Sequence, residues 1–111
     1  MKTMIRMDQF YNLEVKKAKK LFKIMGISVK DDFDFNFKYK HDSYFLTDIG
    51  RINISEMIDK MDEFLLSIHI PNGGNERCRI YLKDESLKVV DIEDETLFDV
   101  VWKVFQHIYL D

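Results

Sequence analysis

The side chains in this sequence that could act as nucleophile, proton-transfer base or soft metal ligand are His41, His69, His107 and Cys78. Such chemistry needs them held against one another or against an acid, and their surroundings argue otherwise. Cys78 alternates with Ile80 and Leu82, so it reads as a small apolar group on the buried face of a strand rather than an activated thiolate. His107 falls near the end of the last helix-like segment, where an imidazolium would favour the helix dipole. No two histidines stand at the i, i+4 spacing of a helical metal site, and a single cysteine rules out both an intramolecular disulfide and the multi-cysteine zinc patterns. The only adjacent glycines, Gly73 and Gly74, follow Pro71 in a turn and do not make a phosphate-binding loop. The 20 Asp and Glu are too many for their number to single out an acid and base pair. We expect no enzyme activity, no metal and no cofactor.

Charge is more informative. The segment from Met1 to Lys30 holds eight Lys and Arg against Asp8 and Glu14, a balance of +6, while the remaining 81 residues hold nine against 18, a balance of −9. Lys16, Lys17, Lys19, Lys20 and Lys23 fall opposite an apolar helical stripe and form a candidate basic surface. Arg77, Arg79, Tyr81 and Lys83 share one face of a candidate strand, where cations beside an aromatic could hold phosphates and stack a base. Against these stands an acidic segment, Asp84, Glu85, Asp91, Glu93, Asp94, Glu95 and Asp99, opposed only by Lys88. Carboxylates fixed by a turn and a helix start could imitate phosphates in the nucleic-acid groove of an enzyme, and they also complement the dipole of the helix they precede.

The elements that must position these residues are legible from periodicity. Tyr11, Val15, Ala18, Phe22 and Met25 recur at helical spacing, giving a helix over Asp8 to Met25 that ends at Gly26, with Phe22 and Ile27 placed for the contact accompanying a left-handed cap. Phe33, Phe35, Phe37 and Tyr39 alternate with polar residues, and after the break His41, Asp42, Ser43 a second run, Tyr44 to Thr47, follows, so a β-hairpin is predicted. Asn53 with Glu56, flanked by Ile52 and Met57, marks the start of another helix. Leu66, Ile68 and Ile70, then Arg77 to Lys83, then Leu87 to Ile92 read as three strands in a meander, and a last helix spans about Thr96 to Tyr109.

The expected fold is therefore α+β, one compact domain over residues 1–111, with a mainly antiparallel sheet of about five strands and three helices in the order αββαβββα. A composition 46% hydrophobic and 14% aromatic supplies a core without a partner. The greasiest stretch, Phe64 to Ile70, is too short to span a membrane, and the first ten residues lack the apolar middle region of a signal peptide. A cytoplasmic protein with no membrane partner is expected. The function these features favour is binding of another protein without catalysis. Its sharpest form is a small inhibitor or immunity-type protein, of the kind phages and mobile elements encode, that blocks a nucleic-acid-processing enzyme through charged surfaces. The alternative is a nucleic-acid-binding module built on the lysine-rich helix and the Arg77 strand.

Overall fold

The computed structural model describes residues 4–44, 46–71, 77–83 and 86–111. The glycine turn after Pro71 and the turn residues Asp84 and Glu85 lie outside them. Along the described chain run helices α1 (Met7–Tyr11), α2 (Val15–Ile24), α3 (Asp32–Lys40), α4 (Leu46–Ile49) and α5 (Ile54–Met61), then strands β1 (Leu65–His69), β2 (Cys78–Lys83) and β3 (Val89–Asp94), then helix α6 (Leu97–Phe105). A 3₁₀ turn joins α5 to β1, and a π turn, Gln106–Leu110, prolongs α6. The expected sheet of five strands with three helices is thus corrected to six α-helices and a three-stranded antiparallel sheet among the described residues.

The error lies in the first hairpin, which is helical. Asp31 caps α3, its carboxylate accepting the Asp34 N–H at 2.6 Å. Asp32 and Asp34 occupy the first turn and Lys38 and Lys40 the last, a distribution that complements the helix dipole. The i, i+4 pair Asp34 and Lys38 closes to 3.5 Å. His41, Asp42 and Ser43 are not a hairpin loop but the helix end. Asp42 takes a left-handed conformation at φ 50°, while the Ser43 N–H donates to the Lys38 carbonyl at 2.8 Å and the Asp42 N–H to that of Tyr39 at 3.3 Å. A period of two wound at 100° per residue splits the aromatics. Phe35 and Tyr39 turn inward, whereas Phe33 and Phe37 are 82% and 54% exposed, so Phe37 leaves the expected core and instead stacks on His41 at 4.3 Å between ring centroids.

The first helix is also divided, at Asn12–Glu14. The Tyr39 hydroxyl reaches back to that break and lies within hydrogen-bonding range of the carbonyls of Phe10 (3.2 Å), Tyr11 (3.0 Å) and Leu13. The remaining local signals appear as expected. Gly26 has φ 72°, and the Ile27 N–H donates to the Phe22 carbonyl at 2.9 Å, closing α2 with both side chains buried. Asn53 accepts the Glu56 N–H at 3.0 Å, and Ile52 and Met57 are buried around it. Thr96 caps α6, its hydroxyl accepting the Asp99 N–H at 3.1 Å.

The sheet runs β1-β2-β3. Cys78, Ile80 and Leu82 of β2 are buried beneath α6, which packs on β2 and β3 and, on its other side, on α5. Residues from Ile5 to Leu110 join in one buried cluster. Within it Phe10 stacks on Phe22 at 5.0 Å, and Phe22 meets Tyr44 edge-on at 4.7 Å. No helix of the described residues is long and apolar enough to cross a membrane.

Two outcomes test this arrangement. Phe35→Ala should cost about 3–5 kcal/mol by chemical denaturation and Phe37→Ala less than about 1 kcal/mol, a contrast that a strand with both rings on one face would not produce. Burial, with Asp34, Asp48 and Tyr11 adding, pushes the Tyr44 phenol up to about 12, and burial likewise raises Tyr11, Tyr39 and Tyr109. Because unfolded phenols ionise near pH 10, this stability is complete below about pH 10 and drains away as pH rises through the folded-state values. Phenolate absorbance followed with circular dichroism should show ionisation coupled to unfolding, and Tyr44→Phe should shift that loss to higher pH.

Candidate functional site

The outer face of the sheet, opposite α6, gathers residues from both charged groups singled out in the sequence. Alternation along β2 sends Arg79, Tyr81 and Lys83 to this face, with Arg77 just before them. Register then decides what they meet. On one side Asp91 of β3 stands opposite Tyr81 and Glu93 opposite Arg79. On the other, Ser67 of β1 stands opposite Tyr81 and His69 opposite Arg79. Arg79 Nη2 lies 3.1 Å from Glu93 Oε2 and 3.6 Å from Asp91 Oδ2, and Asp91 first, then Tyr81 and Glu93, hold its guanidinium above the usual value. A concavity of about 810 Å³ opens here, lined by Ser67, Ile68, His69, Arg77, Arg79, Tyr81 and Glu93.

His69 and Glu93 lie on opposite sides of Arg79, which binds the Glu93 carboxylate itself. Cys78 is buried on the other face. His41 Nδ1 lies 2.9 Å from the Phe37 carbonyl oxygen, far along the chain from the sheet, and His107 is exposed in the final turn. Among the described residues no group of His, Cys, Asp and Glu is placed to hold a metal ion.

The acidic segment is dispersed. Asp91 and Glu93 belong to the outer face, paired with Arg79. Asp94 turns the other way and is half-buried under α6, with Oδ2 2.7 Å from Lys103 Nζ and Oδ1 3.6 Å from Arg77 Nη2. Glu95 is exposed in the turn, and Asp99 accepts the Thr96 hydroxyl at 2.7 Å within the α6 cap. The lysine group separates too. Lys17 reaches the Asp111 carboxylate at 3.7 Å and Lys19 is bonded to Asp32, which leaves Lys16, Lys20 and Lys23 exposed along one line of α2. Alternation placed the β2 face, and the expected meander placed β1 beside it, but neither said that Ser67 and His69 would stand opposite Tyr81 and Arg79, because register is not written in the alternation of either strand. The chain matches no protein-family model, no curated protein and no solved structure.

The Lys103 hydrogen bond, with the Glu95 N–H and the charges of Lys103 and Arg77 adding, holds the Asp94 carboxyl below the usual carboxylate range. Its contribution is therefore complete above about pH 4 and is lost as pH falls through the folded-state value. Asp94→Asn should destabilise by about 1 kcal/mol at neutral pH. Denaturation curves recorded down the acid limb should show the variant and the wild type converging.

Proposed function

We propose that the protein acts without catalysis, by binding another protein through the outer face of its sheet and occupying that partner's surface as a small inhibitor or immunity-type protein does. One observation carries this reading: β2 and β3 bring cationic and anionic side chains into register around Arg79 and Tyr81, over a concave surface. Nucleic-acid binding draws its strength from cations whose only counter-charges are displaced salt ions, but Arg79 and Arg77 already have carboxylates beside them. Phosphate mimicry needs carboxylates without such company, and Asp91, Glu93 and Asp94 each have a cation. A surface of both signs, with arginine and tyrosine at its centre, suits a protein partner of complementary pattern.

Capture from the native host identifies the partner, and titration of the purified partner then tests the face. Tyr81→Ala should weaken binding about tenfold or more, with its thermal midpoint close to wild type because the side chain is only half-buried. The triple variant Lys16→Glu, Lys20→Glu, Lys23→Glu should bind as the wild type does. Saturable binding of single-stranded or duplex DNA at low salt, abolished by the lysine variant, would replace this reading with the nucleic-acid one.

A further inference from the structure

We infer that β1 is the seam of a two-fold dimer, in which the β1 strands of two copies pair antiparallel about Ile68 and join their sheets into one. Among the described residues the strand order leaves β1 and β3 each with one unpaired side, and the two edges are built differently. β3 carries Asp91, Glu93 and Asp94, charges of the kind that keep an edge from pairing with another chain. From Leu65 to Ile70 there is no Asp, Glu, Lys or Arg, and no proline before Pro71. Helix α6 packs on β2 and β3, while Leu66, Ile68 and Ile70 remain 53%, 36% and 57% exposed. An apolar, uncharged edge of this kind is a strand-pairing site.

The pattern of β1 specifies a second copy as its occupant. Leu66, Ser67, Ile68, His69 and Ile70 alternate apolar and polar identically from either end. With the dyad at Ile68, Ile68 meets its own counterpart, Leu66 meets Ile70 of the second copy, and Ser67 meets His69 of the second copy. A slip of one residue would set apolar side chains against polar ones. A dyad also places residues of one strand against the same strand, so a charge at its centre would face its own sign, and β1 carries none. The β-bulge between Leu65 and Ser67 leaves Ser67 to His69 as the regular stretch, which contains the central pairs. The pairing is isologous and closes on itself. Its product is a six-stranded sheet with the charge-bearing β3 strands at both ends and two concavities on one continuous face. Three regular pairs, flanked by contacts of Leu66 with Ile70, make a small interface, so the affinity should be on the order of micromolar.

Sedimentation velocity over a concentration series provides the test, with folding of every variant checked by circular dichroism and thermal midpoint. Wild type should pass from monomer to dimer. Ile68→Lys and Ile68→Glu should each be monomeric, and an equimolar mixture of the two should regain the dimer, because opposite charges then meet across the dyad. Ile70→Lys, at a more exposed position, should weaken the dimer at least about tenfold and serves as the readout if the Ile68 variants do not fold. A wild type that stays monomeric up to roughly 1 mM, or a dimer that survives in the singly substituted variants, overturns the inference. So does a dimer that persists in these variants but is lost in Phe33→Ser, Phe37→Ser, since that would place the seam on α3.

Discussion

The Tyr39 hydroxyl is the point on which the N-terminal half of the molecule depends. A helix that stops at Tyr11 and restarts at Val15 leaves carbonyl groups without intrahelical partners, and burial of such groups is costly unless a donor reaches them. Tyr39 brings one O–H to the carbonyls of Phe10, Tyr11 and Leu13, and its ring packs on Phe10 and Tyr11 at 5.5 and 5.4 Å. It does so from one turn beyond Phe35, whose ring lies 6.0 Å away. The Tyr11 hydroxyl in turn accepts the Tyr44 N–H at 3.0 Å, fixing the chain as it leaves α3. The break between α1 and α2, the helical state of α3 and the position of Tyr44 are therefore conditions of one another.

That mutual dependence explains where the sequence was readable and where it misled. The helices α5 and α6 and the end of α2 were legible because their determinants are local: Asn53 with Glu56, Thr96 before an apolar stripe, Gly26 after one. In α3 two local signals conflicted. The alternation of Phe33, Phe35, Phe37 and Tyr39 spoke for a strand, while Asp31, Asp32, Asp34 and then Lys38 and Lys40 spoke for a helix, and His41 to Ser43 could be a turn or a cap. Tertiary packing decided between them, since it takes Phe35 and Tyr39 to the inside and leaves Phe33 and Phe37 exposed. Periodicity reports which residues could share a face, not how many of them the core admits.

Charge shows the same limit in another form. The first 30 residues and the rest of the chain are opposite in sign, and folding pairs off part of that charge, some of it between the two segments and some within the second. Lys19 binds Asp32, Lys17 approaches Asp111, Arg79 binds Glu93, and Lys103 binds Asp94. The strand faces could be assigned by alternation alone, so Arg79, Tyr81 and Lys83 were placed correctly. Which carboxylates would stand beside them depended on the β2 to β3 register, and register is set by the length and geometry of the intervening turn. Among the described residues, the row of acids became one pair on the outer face, one anchor under α6, one exposed turn residue and one cap residue.

On the reading that the outer face binds a protein partner, the sheet would select by arrangement rather than by net charge. A field of one sign attracts any partner of the other and weakens uniformly with salt. Where cations and carboxylates alternate a few ångströms apart, a displaced partner meets like charges, so position is enforced by repulsion as much as by attraction. Such binding would also require Arg79 to exchange or share its carboxylates, a cost recovered only by a partner that supplies groups at the same spacing. Joining two such faces through β1 would fix their separation with a hydrogen-bonded sheet instead of a flexible linker, so a partner presenting two matching sites would gain effective concentration without new contacts. Specificity would then reside in two registers, one between β2 and β3 within a chain and one between the β1 strands of two chains.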